Sequence, residues 1–183
     1  MPDLIITKAD INERNEYTGA NSLDVEGSIF IDAEIAMVRF LGSLKVTGSI
    51  IAGGSIEADG SIEADCSIEA GEWIDAAGSI TAGGSITAGG SITAGGSITA
   101  DGLIEATGSI CADESIRAGG WIKTGGSILV NLRIFAGLCL WRLPTEAEVE
   151  VRCQQLISGT VAYGTLVITA PTADAVPMPG EAL

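Results

Sequence analysis

An unbroken six-residue repeat is the feature of this sequence that most restricts its fold. From Leu44 to Ile134 every sixth residue is Leu or Ile, over sixteen consecutive positions. The residue two places later is Ala in thirteen of these sixteen cases. A period of six matches neither an α-helix nor a coiled coil, and glycine at this density would cost about 1 kcal/mol per residue in a helix interior. The repeat therefore excludes helices.

The hexad I-x-A-G-G-S describes a short strand followed by a corner. In an extended segment residues i and i+2 point the same way, so Ile and Ala share the inward face. Glycine at the corner supplies either a positive φ or the close approach of a sharp bend, and serine can hydrogen-bond its own backbone there. Three hexads make one coil of about 18 residues. We therefore predict an all-β, triangular, parallel β-solenoid, whose hand the residues leave open while favouring the right-handed form.

The register of the repeat divides the chain into four parts. We predict an N-terminal cap over residues 1–22, the solenoid over 23–136, a C-terminal cap with a closing hairpin over 137–170, and an extended tail over 171–183. Before the regular series, the phase of the apolar residues changes, which predicts an insertion near residues 36–43.

Bulky apolar residues follow the last regular hexad. An uncovered end of the prism would expose unpaired strand edges. We therefore expect the last coil to be covered by this group: Leu138, Leu140, Trp141 and Leu143.

The absence of histidine removes much catalytic chemistry. Without it the chain has no Ser-His or Cys-His nucleophile pair and no histidine-ligated zinc. Serine occupies the same corner in twelve of the sixteen hexads, which indicates a structural role. Glu57 and Asp75 lie 18 residues apart and should stack, yet nothing in the sequence forms a pocket around them. We predict no enzyme, with no catalytic residue and no cofactor.

The four cysteines carry no motif of their own. They are separated by 45, 28 and 14 residues, without a C-x-x-C pair. This spacing indicates free, small apolar residues, and we predict no metal site.

The charge balance narrows the class of partner. The chain has 24 acidic and 9 basic residues, a net charge of −15. This disfavours direct binding to nucleic acid or to an anionic membrane and favours a basic partner. The first ten residues show no basic region followed by an apolar run, and no segment is long and apolar enough to span a membrane. We predict a cytoplasmic protein.

The acidic residues are concentrated in the regular repeats. Residues 46–116 contain eleven acidic and no basic residues, a net charge of −11. Over about four coils this is roughly one charge per 1.7 Å, close to the linear density of duplex DNA. The densest part predicts a partner-binding site, with a tryptophan as apolar anchor: Glu57, Asp59, Glu63, Asp65, Glu69, Trp73 and Asp75. Two alternatives stay open, that the acidity serves solubility and that Trp73 packs beneath a neighbouring loop.

The repeat resembles known solenoid families. The six-residue period is similar to that of the hexapeptide-repeat acyltransferases, although this chain usually has Gly where their motif has a small non-glycine residue. The triangular solenoid and the terminal caps resemble those of bactofilins, which form polymers. The closing segment GGSILVNLRIFAGLCLWRLPT, with GTVAYGTL after it, resembles that of uncharacterised phage and mobile-element proteins with S-I-x-A-G repeats.

These features together predict a non-enzymatic, acidic protein-binding module. The charge pattern and the resemblance to phage proteins predict an inhibitor that occludes a basic nucleic-acid-binding surface of a host protein, as a DNA mimic does. The alternative is a bactofilin-like structural protein that polymerises end to end. A homo-oligomer joined through the C-terminal cap is also left open.

Overall fold

The computed structural model describes residues 3–138 and 142–170. It is an all-β, parallel solenoid of about eight turns, with roughly 18 residues in each turn. Short 3₁₀ segments lie at Lys8–Asp10 and Glu146–Val149. The strands are β1 (Leu4–Ile6), β2 (Leu23–Val25), β3 (Ile29–Ile31), β4 (Met37–Phe40), β5 (Leu44–Val46), β6 (Ile50–Ala52), β7 (Ser55–Ala58), β8 (Ile62–Ala64), β9 (Ile68–Ala70), β10 (Ile74–Ala76), β11 (Ile80–Ala82), β12 (Ile86–Ala88), β13 (Ile92–Ala94), β14 (Ile98–Ala100), β15 (Ile104–Ala106), β16 (Ile110–Ala112), β17 (Ile116–Ala118), β18 (Ile122–Thr124), β19 (Ser127–Phe135), β20 (Glu150–Cys153), β21 (Gln155–Tyr163) and β22 (Thr165–Ile168).

The strands wind around three faces, and each pairs in parallel with the strand one turn later. Face 1 is the sheet β1-β3-β6-β9-β12-β15-β18-β20-β22. Face 2 contains β4, β7, β10, β13 and β16, and face 3 contains β2, β5, β8, β11, β14 and β17. The long strand β19 runs across faces 2 and 3, and β21 pairs along it. The corners are named here by the faces that they join, so corner 3/1 leads from face 3 to face 1.

The apolar hexad positions form the core, as the sequence predicts. All sixteen residues from Leu44 to Ile134 in steps of six are at most 1% exposed. The thirteen alanines two places later are at most 8% exposed. Thr124 occupies one such inward position, and its hydroxyl donates to the Gly108 carbonyl. The strict triangular solenoid is therefore confirmed, while its right-handed turn stays a prediction.

The solenoid begins earlier than predicted, and its insertion lies elsewhere. Strand β1 already belongs to face 1, so the coil begins at residue 4 rather than 23. Strand β3 is 21 residues from its partner β6, but β4 is 18 residues from β7. The extra residues therefore lie in 32–36, before the expected position at 36–43. Phe40 points inward, whereas Leu41 is exposed at the corner that follows.

Residues 7–22 cover the N-terminal end of the core. Ile11 and Tyr17 form an antiparallel bridge and pack against the buried core. The Tyr17 ring lies 5.6 Å from that of the buried Phe40. The N-terminal cap is thus formed by part of the predicted segment 1–22.

The predicted C-terminal hairpin is wrong. Strand β21 pairs in parallel with β19, and β22 pairs in parallel with β20, so these strands add another turn. A hairpin strand and a solenoid strand share the same apolar alternation, and only the pairing partner distinguishes them. Leu138 is half-buried and Leu143 is exposed at the side, so neither covers the last turn. Leu140, Trp141 and the tail at 171–183 lie outside the described residues.

Serine ladders hold neighbouring turns together at the corners. At corner 2/3, the Oγ of Ser43, Ser61 and Ser79 each accepts the N–H of the serine 18 residues later, at 3.1 Å. These serines therefore bind the next turn rather than their own backbone, which corrects the expectation. A Cβ on Gly60 would lie 2.3 Å from the Ser43 Oγ, so glycine provides close approach here. Among the described glycines, positive φ occurs only outside the regular hexads, at Gly27, Gly137, Gly159 and Gly164.

Removing one rung of this ladder should have a moderate cost. In Ser79→Ala the N–H of Ser97 loses its acceptor, and we expect the free energy of unfolding to fall by about 1 kcal/mol. Ser115→Ala is the matched control, because the Ser115 hydroxyl accepts no backbone N–H from any residue that the structure describes. Urea unfolding followed by circular dichroism measures both, and an equal loss in the two variants would contradict the ladder's role.

Candidate functional site

The seven residues of the predicted binding site do not form one surface. Successive hexads occupy successive faces, so the residues are distributed around the prism. Only Asp65 and Glu69 lie together, at corner 3/1 and on face 1. The remaining members point in other directions: Glu57 and Asp75 on face 2, Asp59 at corner 2/3, Glu63 on face 3 and Trp73 at corner 1/2.

Basic residues beside the acidic stretch pair with several of its carboxylates. Arg39 contacts Asp59 at 2.8 Å and Glu57 at 3.5 Å. Lys45 contacts Glu63 at 3.2 Å. Asp59 and Glu57 raise the pKa of Arg39, and Glu63 raises the pKa of Lys45. Three of the predicted contact residues are therefore already paired across neighbouring turns.

These pairs lower the charge density of the prism. Residues 39–123 contain eleven acidic and four basic residues, a net charge of −7. At about 18 residues per turn and 4.8 Å between turns, this is roughly one charge per 3 Å, about half the density of duplex DNA. The prism as a whole is therefore less like DNA than the basic-free stretch alone.

The stacked carboxylates of face 2 are exposed to solvent on one side. Asp75 lies in register with Glu57, as their 18-residue separation predicts. Desolvation by burial raises the pKa of Asp75. Because this cause is burial, the raised pKa gives no sign of a shared proton.

The two corner tryptophans are both half-buried. Trp121 lies beside Ala147 and Glu150 around a small cavity of about 180 Å³. It thus packs beside the segment that leads into β20. The backbone N–H of Trp73 donates to the Ser55 Oγ at 3.4 Å, so Trp73 keeps the corner geometry of the serine that it replaces.

Face 1 presents a continuous column of outward side chains. Strand pairing places them in register one turn apart. The first three are apolar and exposed, with Ile5 at 65%, Phe30 at 39% and Ile51 at 37%. From the N-terminal end the column reads Ile5, Phe30, Ile51, Glu69, Thr87, Glu105 and Lys123. An exposed apolar patch thus leads directly into an acidic one.

Acidic residues at corner 3/1 widen the acidic part of this column. Asp65 and Asp101 are exposed at that corner, beside Glu69 and Glu105. Lys123 pairs with Glu105 at 2.9 Å, at the far end of the group. These four acids are called the face 1 acidic group below. Asp65 and Glu69 belong to the predicted site, whereas Asp101 and Glu105 were not assigned to it. Their 36-residue separation from the first pair, two turns of the repeat, was the available signal.

A shallow groove follows the acidic group along face 1. Its volume is about 470 Å³, and it includes Ile51, Glu69, Thr87 and Glu105 in its walls. Gly71 and Gly89 leave one side without side chains. The two carboxylates lie two turns apart, about 10 Å along the prism. Long basic side chains could lie in this groove between them.

The described residues contain no group of three or more Cys, Asp or Glu side chains arranged to hold a metal ion. Burial raises the pKa of the Cys111 thiol, with a smaller contribution from Asp113. Cys66, Cys111 and Cys153 are free thiols, and Cys139 lies outside the described residues. In the same part of the chain, no helix has the length and apolar character needed to cross a membrane.

Comparison with known protein families, curated proteins and solved structures finds no match in any of the three.

Proposed function

We propose that this chain is a non-enzymatic protein-binding module that uses face 1 to bind a basic surface of another protein. The observation that carries the proposal is the column in which exposed Ile5, Phe30 and Ile51 lead into Glu69 and Glu105. Apolar side chains supply contact area, and the carboxylates select a basic partner and steer its approach.

The acidic group is suited to basic side chains for a structural reason. Asp65, Glu69 and Asp101 are exposed, and none of them has an ion-pair partner among the described residues. The acids of faces 2 and 3 differ, because Arg39 and Lys45 already pair with Glu57, Asp59 and Glu63. Face 1 therefore offers the free carboxylates, which a partner's Lys or Arg can approach without displacing a cation.

We further propose that the partner is a host protein in the cytoplasm and that the bound surface is one that binds nucleic acid. Regularly spaced carboxylates on a rigid prism present negative charge to the partner's basic groove, as phosphates do. The resemblance of the closing segment to phage and mobile-element proteins is the reason for expecting a host target. The chain would act as an inhibitor by occupying that groove.

The proposal is tested by neutralising two matched sets of acids. The first variant combines Asp65→Asn, Glu69→Gln, Asp101→Asn and Glu105→Gln. The second combines Glu57→Gln, Asp59→Asn, Glu63→Gln and Asp75→Asn. Both change the net charge by the same amount and all eight side chains point outward, so we expect both to fold.

The variants are compared with the wild type in pull-downs from a nuclease-treated lysate of a bacterial host, and then with the purified partner. We expect the first variant to bind at least about 100-fold more weakly and the second to bind almost normally. Wild-type affinity should fall about tenfold or more between low and physiological salt, and duplex DNA should compete. Equal binding by all three proteins would show that the acidity serves solubility, and a loss confined to the second variant would place the site elsewhere.

A further inference from the structure

The C-terminal end of the prism is open, unlike the N-terminal end. Strand β21 pairs only with β19, and β22 pairs only with β20, among residues 3–138 and 142–170. The outer edge of the last turn is therefore an unpaired strand edge within the described residues. Such edges are ready templates for pairing with another chain.

The core is uncovered at this end. Leu166 and Ile168 lie in register on Val151 and Cys153, which are fully buried. Yet Leu166 is 40% exposed and Ile168 is 56% exposed, because no described residue packs above them. Ile157 and Tyr163 of the same turn are also exposed, at 55% and 45%. The last turn thus presents apolar side chains together with its free edge.

The last turn also differs from the rest of the chain in its charge. Residues 153–170 contain no charged residue, in a chain whose net charge is −15. The N-terminal end is different, because residues 3–22 contain four acidic and two basic residues and cover the core with Ile11 and Tyr17. Two copies of this acidic chain would repel each other at most contacts. Their C-terminal ends are the place where they can meet without that repulsion.

We propose that the protein forms a tail-to-tail dimer through its last turn. The occupant of the open end is the same end of a second copy, related by a two-fold axis. A two-fold axis makes the facing edges antiparallel, and the exposed Leu166 and Ile168 of both copies become a shared core. Because the N-terminal ends are covered and charged, assembly stops at two chains and no filament forms. This proposal does not depend on the binding surface of face 1.

Sedimentation equilibrium of the full chain tests the association state. We expect a mass of twice 18.6 kDa. The variant Ile157→Glu/Ile168→Glu places two charges on each end, where like charges would meet in an apolar contact. We expect its dimer dissociation constant to rise by at least about 100-fold. The matched control is Ile5→Glu, at an equally exposed isoleucine of the opposite end, and it should remain dimeric.

Hydrogen exchange tests the same interface without a substitution. In the wild type, amides of β21 and β22 should exchange more slowly at high than at low protein concentration, while those of β1 should not change. A monomeric wild type, a filament, or a dimer that survives in the double variant would each overturn the proposal. A monomer that becomes a dimer when residues 171–183 are removed would also overturn it, because the chain's own tail would then be the occupant.

Discussion

Ile92→Asp is expected to prevent folding. Ile92 is fully buried and lies in register between Ile74 and Ile110 of the neighbouring turns. An aspartate there loses the apolar contacts on both sides and places a carboxyl group where no partner is available. The combined cost is about 5 kcal/mol or more, comparable with the whole stability of an ordinary domain. Since each turn contacts only its neighbours, separation at this turn divides the solenoid.

Far-UV circular dichroism and solubility after expression measure this effect. Two controls separate burial of charge from the mere presence of a change. Ile92→Val should fold with a loss of about 1 kcal/mol. Thr99→Asp should also fold, because Thr99 points outward and lies in register with Arg117. A soluble Ile92→Asp protein with a cooperative melt near that of the wild type would sink the solenoid core as described.

Deletion of residues 137–183 is expected to cause aggregation. The deletion removes β20, β21 and β22, and so uncovers Ile122, Ile128 and Ile134, which are fully buried in the intact chain. It also leaves the edges of β18 and β19 unpaired. Three apolar core positions and two free edges at one end favour uncontrolled pairing between chains.

Light scattering after size-exclusion chromatography measures the association state of the shortened chain. Deletion of residues 171–183 alone is the control, because it leaves every described strand in place, and it should not aggregate. A chain ending at Ala136 that stays soluble, with the same association state as the intact protein, would contradict the expectation.

The repeat region of the fold could be predicted in detail from the sequence. Every inward position from Leu44 to Ile134 is buried as the six-residue period predicts, because one residue type recurs at one geometric position. The structural role of the corner serines could also be predicted, although not their partner. Ser61 bonds to Ser43 and Ser79 to Ser61, across an 18-residue distance that a local turn argument does not consider.

The candidate site could be predicted only in part. The sequence shows where acids are dense along the chain, and Asp65 and Glu69 of that cluster do lie on the face 1 surface. Density along the chain is different from density on a face, because each hexad turns by one face. Arg39 and Lys45 are distant in sequence from Glu57 and Glu63, yet one turn away in space. The pairing of these charges, and the grouping of Asp101 and Glu105 with Asp65 and Glu69, follow only when the coil is built.

The sequence by itself determined the strands, the inward face and the 18-residue turn, because these depend on local geometry repeated many times. Tertiary structure decided what happens where the repetition stops. The alternating segment from Gln155 to Ile168 was compatible with a hairpin or with further turns, and the parallel partners β19 and β20 selected the latter. That choice leaves Leu166 and Ile168 exposed at an uncharged end. Pairing over long distances depends on which edges are free when the chain arrives there, and no local pattern records that.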